Sequence, residues 1–166
     1  MTYIPNILDY KPFYIQTSAD QMAIDTTYWG MVAKTNPLTA MPDPKDPYKN
    51  DWKDEDGVEE YVGRIYYKPI EFEVEFFVKT YDEGGVSSIT LLNQQMNQFF
   101  EKIRNGEFMV YDSYTGIGRQ KVRYAGYSEE SFKARDKWSR AIFKIKFVAN
   151  DPISKVVLSN GKLAVV

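Results

Sequence analysis

From Ile70 to Lys79 the chain alternates strictly. Ile70, Phe72, Val74, Phe76 and Val78 stand against Glu71, Glu73, Glu75, Phe77 and Lys79. A period of two predicts a strand with one apolar and one charged face. Phe77 breaks the charged face and marks a contact surface or a second layer. Past Glu83-Gly84-Gly85 the period changes to three and four, through Ile89, Leu92, Met96, Phe99, Phe100 and Ile103. This predicts an amphipathic helix, capped at its start by Ser87 or Ser88 and stopped by Asn105-Gly106.

After the helix the signals are those of strands. Glu107 to Asp112, Gln120 to Tyr127 and Ser139 to Ala149 read as strands, with a turn at Tyr114 to Gly118 and an end at Asp151-Pro152. Asn160-Gly161 between apolar runs predicts a carboxy-terminal hairpin over 155–166, since its tight turn needs positive φ at both central residues. In the amino-terminal third, Pro12 to Thr17 and Tyr28 to Lys34 are candidate strands. A Pro/Asp-rich loop is expected over 36–60, with prolines at 37, 42, 44 and 47. The fold class expected is mainly β, an antiparallel β-sandwich or partly open barrel with one α-helix packed on it. One domain over 1–166 is expected from the length.

Composition narrows the chemistry. The chain has no His and no Cys, which removes thiolate zinc sites, cysteine nucleophiles and the commonest general base. An enzyme is therefore not expected, and no cofactor is implied. A formal charge of −2 argues against a whole-domain nucleic-acid binder. Met1 to Tyr10 has neither the basic start nor the apolar run of a signal peptide, so synthesis in the cytoplasm is expected. No segment is apolar enough to span a bilayer, and no membrane partner is expected. With 13 Tyr and 10 Phe, the aromatic content favours pleated surfaces and protein contact faces.

Charge is segregated along the chain. Eight acids and three lysines lie between Pro42 and Glu60, whereas nine bases and three acids lie between Arg119 and Lys146. Two surfaces of opposite sign can steer one molecule onto another, though solvated faces of one domain account for the pattern equally well. Asp54, Asp56 and Gly57 echo a calcium loop, but its first and twelfth positions fall on Trp52 and Gly63, so a solvated acidic turn is the better reading. Glu71, Glu73 and Glu75, with Asp54, are the only acids that suggest carboxylate hydrolysis, and a solvated strand face explains the three glutamates. Trp29, Trp52, Trp138 and the tyrosines offer an alternative function, a β-sandwich module binding carbohydrate or protein. The bases with Tyr124, Tyr127, Phe132 and Trp138 suit phosphate contact and stacking, without any RNA-module pattern.

The segments Gly106-Glu107-Phe108-Met109-Val110-Tyr111-Asp112, Arg123-Tyr124-Ala125-Gly126-Tyr127 and Phe143-Lys144-Ile145-Lys146-Phe147 follow the helix in order before Asp151-Pro152. This succession resembles the amino-terminal domain of distal tail proteins of siphophages. The tract from Asp51 to Glu59, followed by Tyr67-Lys68-Pro69-Ile70, is similar to tail proteins of Bacteroidetes phages and prophages. The resemblance covers about residues 50 to 152. It implies a virion protein without catalytic activity, a subunit of a ring, commonly hexameric, at the junction of tail tube and tip. Other tail or baseplate proteins would be its partners, and DNA would pass the lumen without specific binding. A ring needs two different complementary patches per subunit. Asp51, Trp52, Asp54 and Asp56 on one side and Arg123, Arg135, Trp138 and Arg140 on the other are the interface residues expected.

Overall fold

The computed structural model describes residues 10–18, 21–34, 41–61 and 63–166. The amino-terminal stretch before Tyr10, and residues 36–40 of the Pro-rich segment, lie outside them. The strands are β1 (Phe13–Gln16), β2 (Ile24–Asp25), β3 (Val32–Ala33), β4 (Lys49–Asn50), β5 (Glu59–Glu60), β6 (Ile70–Tyr81), β7 (Phe108–Asp112), β8 (Ile117–Ala134), β9 (Trp138–Ser159) and β10 (Lys162–Val165). Among the described residues there is one α-helix, α1 (Ser88–Ile103), and a 3-10 turn at Thr26–Trp29.

One antiparallel sheet runs β2-β1-β7-β8-β9-β6-β3, with β10 added to β9. Its terminal strands do not pair, so the sheet stays open rather than closing into a barrel. It bends so that β1 and β7 face β6 and β9. Phe13 meets Phe76 edge-on at 6.3 Å, and Phe108 meets Phe147 at 5.8 Å. Alternation along β6 buries Ile70, Phe72, Val74, Phe76 and Val78, as the period-two pattern predicts.

Helix α1 lies on that inner face and completes the core. Ser87 caps it, its side chain accepting from the Thr90 amide. Leu92, Phe99 and Ile103 are buried, with Met96 and Phe100 packed beside them. Ile89 departs from the predicted apolar face and is exposed. The first turn is held instead by Ser88, whose hydroxyl meets Ser139 at 2.8 Å while its carbonyl accepts from Thr80 at 2.6 Å.

Two expectations on elements need correction. Tyr28 to Lys34 is not one strand. Asp25 accepts from the Thr27 amide and starts a 3-10 turn, and only Val32 and Ala33 pair with β6. Asp151-Pro152 does not end β9. Gln120 pairs with Asp151 but Gly118 pairs with Val156, so two steps along β8 are answered by five along β9. Proline cannot donate to a ladder, yet it is tolerated at a bulge. Asp151 secures the excursion by accepting from the amides of Ile153 and Ser154 and from Gln120.

Candidate functional site: an exposed arm and a cationic sheet face

The segment expected as a loop is a paired arm. Beyond the β4–β5 hairpin, the Tyr61 amide donates to Tyr48, the Lys45 amide to Tyr66 and the Lys68 amide to Asp43. Pro44 and Tyr67 form a further bridge, so a two-stranded ribbon runs from Asp43 to Lys68. Its sequence hid this because the prolines and aspartates carry no period. Among its described residues all but Asn50 are exposed, including Tyr48, Trp52, Val58, Tyr61, Ile65, Tyr66 and Tyr67. Apolar groups clustered in water this way are characteristic of interaction surfaces.

At the arm's end the chain turns through Trp52 to Gly57, with Gly57 at φ 86°. The Glu55 amide donates to the Trp52 carbonyl, and the Trp52 indole N–H donates to Glu59 at 3.1 Å. Asp51, Asp54, Glu55 and Asp56 all face water. Among the described residues no three acids come together as a metal site would need. Two open grooves flank the arm. One, of about 510 Å³, lies at its base between Lys68, Pro69, Glu71 and Arg123. The other, of about 570 Å³, runs along it between Pro44, Pro47, Tyr48, Tyr61 and Tyr66.

The outer face of the sheet carries the bases. Register places Glu73 opposite Lys146 and Glu75 opposite Lys144. Lys146 Nζ sits 3.1 Å from Glu71, Lys144 Nζ 2.9 Å from Glu130 and Lys34 Nζ 3.8 Å from Glu75. The hydrogen bond and charge of Glu130, with Glu73 and Glu75 behind, hold the Lys144 ammonium above its ordinary pKa. The three glutamates are thus one side of an intramolecular ladder of opposite charges on an open face. They do not converge on a cleft.

At the far end of the same face the pattern reverses. Lys79 stands opposite Arg140, and Arg140 opposite Lys133, so three cations lie side by side across β6, β9 and β8. Lys79 Nζ is 4.8 Å from the centre of the Trp138 ring and 5.2 Å from that of Tyr81, and the Arg140 guanidinium is 5.9 Å from Trp138. The β8–β9 hairpin closes just beyond, where the Arg135 amide donates to Trp138 at 2.7 Å.

The expected interface residues therefore separate into groups. Asp51, Trp52, Asp54 and Asp56 share the arm's turn. Arg135, Trp138 and Arg140 share the hairpin end. Arg123 lies away from both, opposite Val148 beside the arm's base. Lys79, Tyr81 and Lys133 complete the hairpin-end group; they are not among the expected interface residues, because only strand register joins them to Arg140. The tryptophans do not form a common platform. Trp29 is buried against Phe99 at 5.7 Å, Trp138 is half-buried under cations and Trp52 is on the arm.

No helix among the described residues is long and apolar enough to cross a membrane. No protein-family model matches the chain. No curated protein matches its sequence. Among solved structures the chain is similar to the Dit protein of phage SPP1, with a TM-score of 0.59 and 15% sequence identity. That structure is described as a paradigm of the hub adsorption apparatus in phages infecting Gram-positive bacteria. The match covers 88% of this chain and 52% of that one, so the chain spans about half the length of the relative. What the two share is the fold, a bent antiparallel β-sheet braced by a helix.

Proposed function

We propose that the chain is a structural subunit of a phage or prophage tail, acting through assembly into a ring in the virion rather than through catalysis. The observation that carries this reading is the exposed aromatic arm from Asp43 to Lys68, borne on a fold shared with a phage hub protein. A monomer in water gains nothing by holding that surface open, whereas a neighbour covering it would bury rings suited to contact faces. The acidic arm and the basic β8–β9 end supply the two unlike patches that a closing heterologous interface needs. Ring size, commonly six in distal tail proteins, and contact with other tail or baseplate proteins follow from the resemblance. So does passage of DNA through the lumen without specific binding. Kinship with Bacteroidetes tail proteins rests on the tracts 51–59 and 67–70. Single acids spread over an open face support a non-enzymatic role. The test is negative-stain imaging of concentrated protein. Closed rings of uniform size are expected, and a field of single 19.3 kDa particles at every concentration would overturn the proposal.

A second reading, a carbohydrate- or protein-binding module, draws on the groove between Tyr48, Tyr61 and Tyr66. Calorimetric titration with glycans tests its carbohydrate form, and heat at millimolar sugar that is lost in Tyr61→Ala would favour it.

A further inference from the structure

We infer that the row Lys79–Arg140–Lys133 is the receptor for the acidic turn Asp51–Gly57 of the next copy of this chain; the inference rests on the assembly reading above and assigns its contact. Like charges directly opposite on neighbouring strands destabilise a sheet. Here two such pairs share one arginine. None of the ion pairs among the described residues involves these three cations; Glu75, Glu130 and Glu71 of the same face go to Lys34, Lys144 and Lys146. Arg140 also keeps its Nε shielded from water without a hydrogen-bond partner. The like-charge row is a cost in the single molecule that an arriving anion offsets. Trp138 and Tyr81 beneath the cations restrict where they sit before it arrives.

The occupant follows from charge and placement. The arm's turn presents Asp51, Asp54, Glu55 and Asp56 to water, with no ion pair to any described residue. The arm leaves the body next to Ile70, at one end of β6, and the cation row crosses β6 at Lys79. Nine strand residues at about 3.3 Å each put these ends roughly 30 Å apart. An arm rooted at one end of β6 and a receptor at the other, with no ion pair between turn and row in the single molecule, suit a head-to-tail contact between copies, the kind that closes into rings.

The test begins with Lys133→Glu. This change sets a carboxylate opposite Arg140, so the monomer should hold or gain thermal stability, roughly 1–3 °C in Tm. Self-assembly should need at least tenfold more protein. An equal mixture of Arg140→Glu/Lys133→Glu with Asp54→Lys/Asp56→Lys should assemble where each alone does not, and circular dichroism checks that each is folded. Wild-type protein that assembles while Lys133→Glu assembles equally well, or a mixture that shows no rescue, would overturn the receptor and leave the ring reading standing. Wild-type protein that stays monomeric at every concentration would overturn the ring reading itself, and the receptor with it.

Discussion

The side chain of Gln16 imitates a peptide group for Leu163. Its Oε1 accepts from the Leu163 amide at 2.7 Å and its Nε2 donates to the Leu163 carbonyl at 3.3 Å, across 147 residues of sequence. Both residues are buried, with Gln16 at 1% exposure. In this way β10, which pairs along its length only with β9, is also fastened to β1. Gln16→Leu keeps much of the volume but leaves both Leu163 groups without a partner. Unpaired buried polar groups cost about 1–3 kcal/mol. Urea unfolding should show a loss of that size with an unchanged m-value, and a variant as stable as wild type would mean that water replaces the contact.

Phe99 is where the helix meets the rest of the core. Fully buried, its ring lies 5.1 Å from Phe76, 5.7 Å from Trp29 and 6.0 Å from Phe100. Truncating such a ring removes burial and leaves a cavity, so Phe99→Ala should cost about 3–5 kcal/mol. Ile89→Ala, one helix end away and exposed, should change stability by less than about 0.5 kcal/mol. Thermal melts of the two variants separate the buried face from the face that the sequence pattern alone implied.

Gly118 lies where β9 bulges against β8. A Cβ there would sit 2.7 Å from the Val156 carbonyl oxygen and 2.8 Å from its Cβ, inside the limit for any real contact. Gly118→Ala must push the two strands apart. Overpacking of this kind costs about 1–3 kcal/mol. Denaturant unfolding would measure it, with Gly126→Ala as the comparison, since its added Cβ meets only Lys146 at an ordinary 3.6 Å.

Asp151 makes a contribution to stability that acid should remove. Partial burial opposes its charge, but hydrogen bonds from Ser154, from Gln120 and from the amides of Ser154 and Ile153 outweigh that, and the carboxyl is held well below its usual range. A group whose pKa is lower folded than unfolded adds stability that is complete above the unfolded value. That contribution fades as pH falls below about 3.8 towards the folded value. Asp151→Ala should therefore lose about 1 kcal/mol at neutral pH, the scale of a lost hydrogen bond. The difference from wild type should shrink in melts below pH 3.

Much of the core was legible because it is periodic. β6 and α1 each repeat their apolar positions often enough that burial had one solution, and, Ile89 excepted, both fell where the pattern placed them. What stayed hidden depended on pairing. The arm has no period, since Pro42, Pro44 and Pro47 stand where a strand signal would be. Its ladder is known only from partners such as Lys45 and Tyr66. Asp151-Pro152 has the chemistry of a stop, and register alone turns it into a bulge. The same holds for the charged face. Lys144 and Lys146 counted as free bases in a one-dimensional tally, but Glu130 and Glu71 meet them in space. Lys79 and Lys133, far apart in sequence, are brought to Arg140 by the sheet.

Assembly through the arm and the cationic end is the claim on which the functional account turns. Native mass measurements on the purified chain, over rising concentration and at two ionic strengths, test it most directly. The account predicts one discrete closed multiple of 19.3 kDa that appears with concentration and recedes with salt, because screening weakens exposed charge contacts. A single 19.3 kDa species under every condition would contradict it.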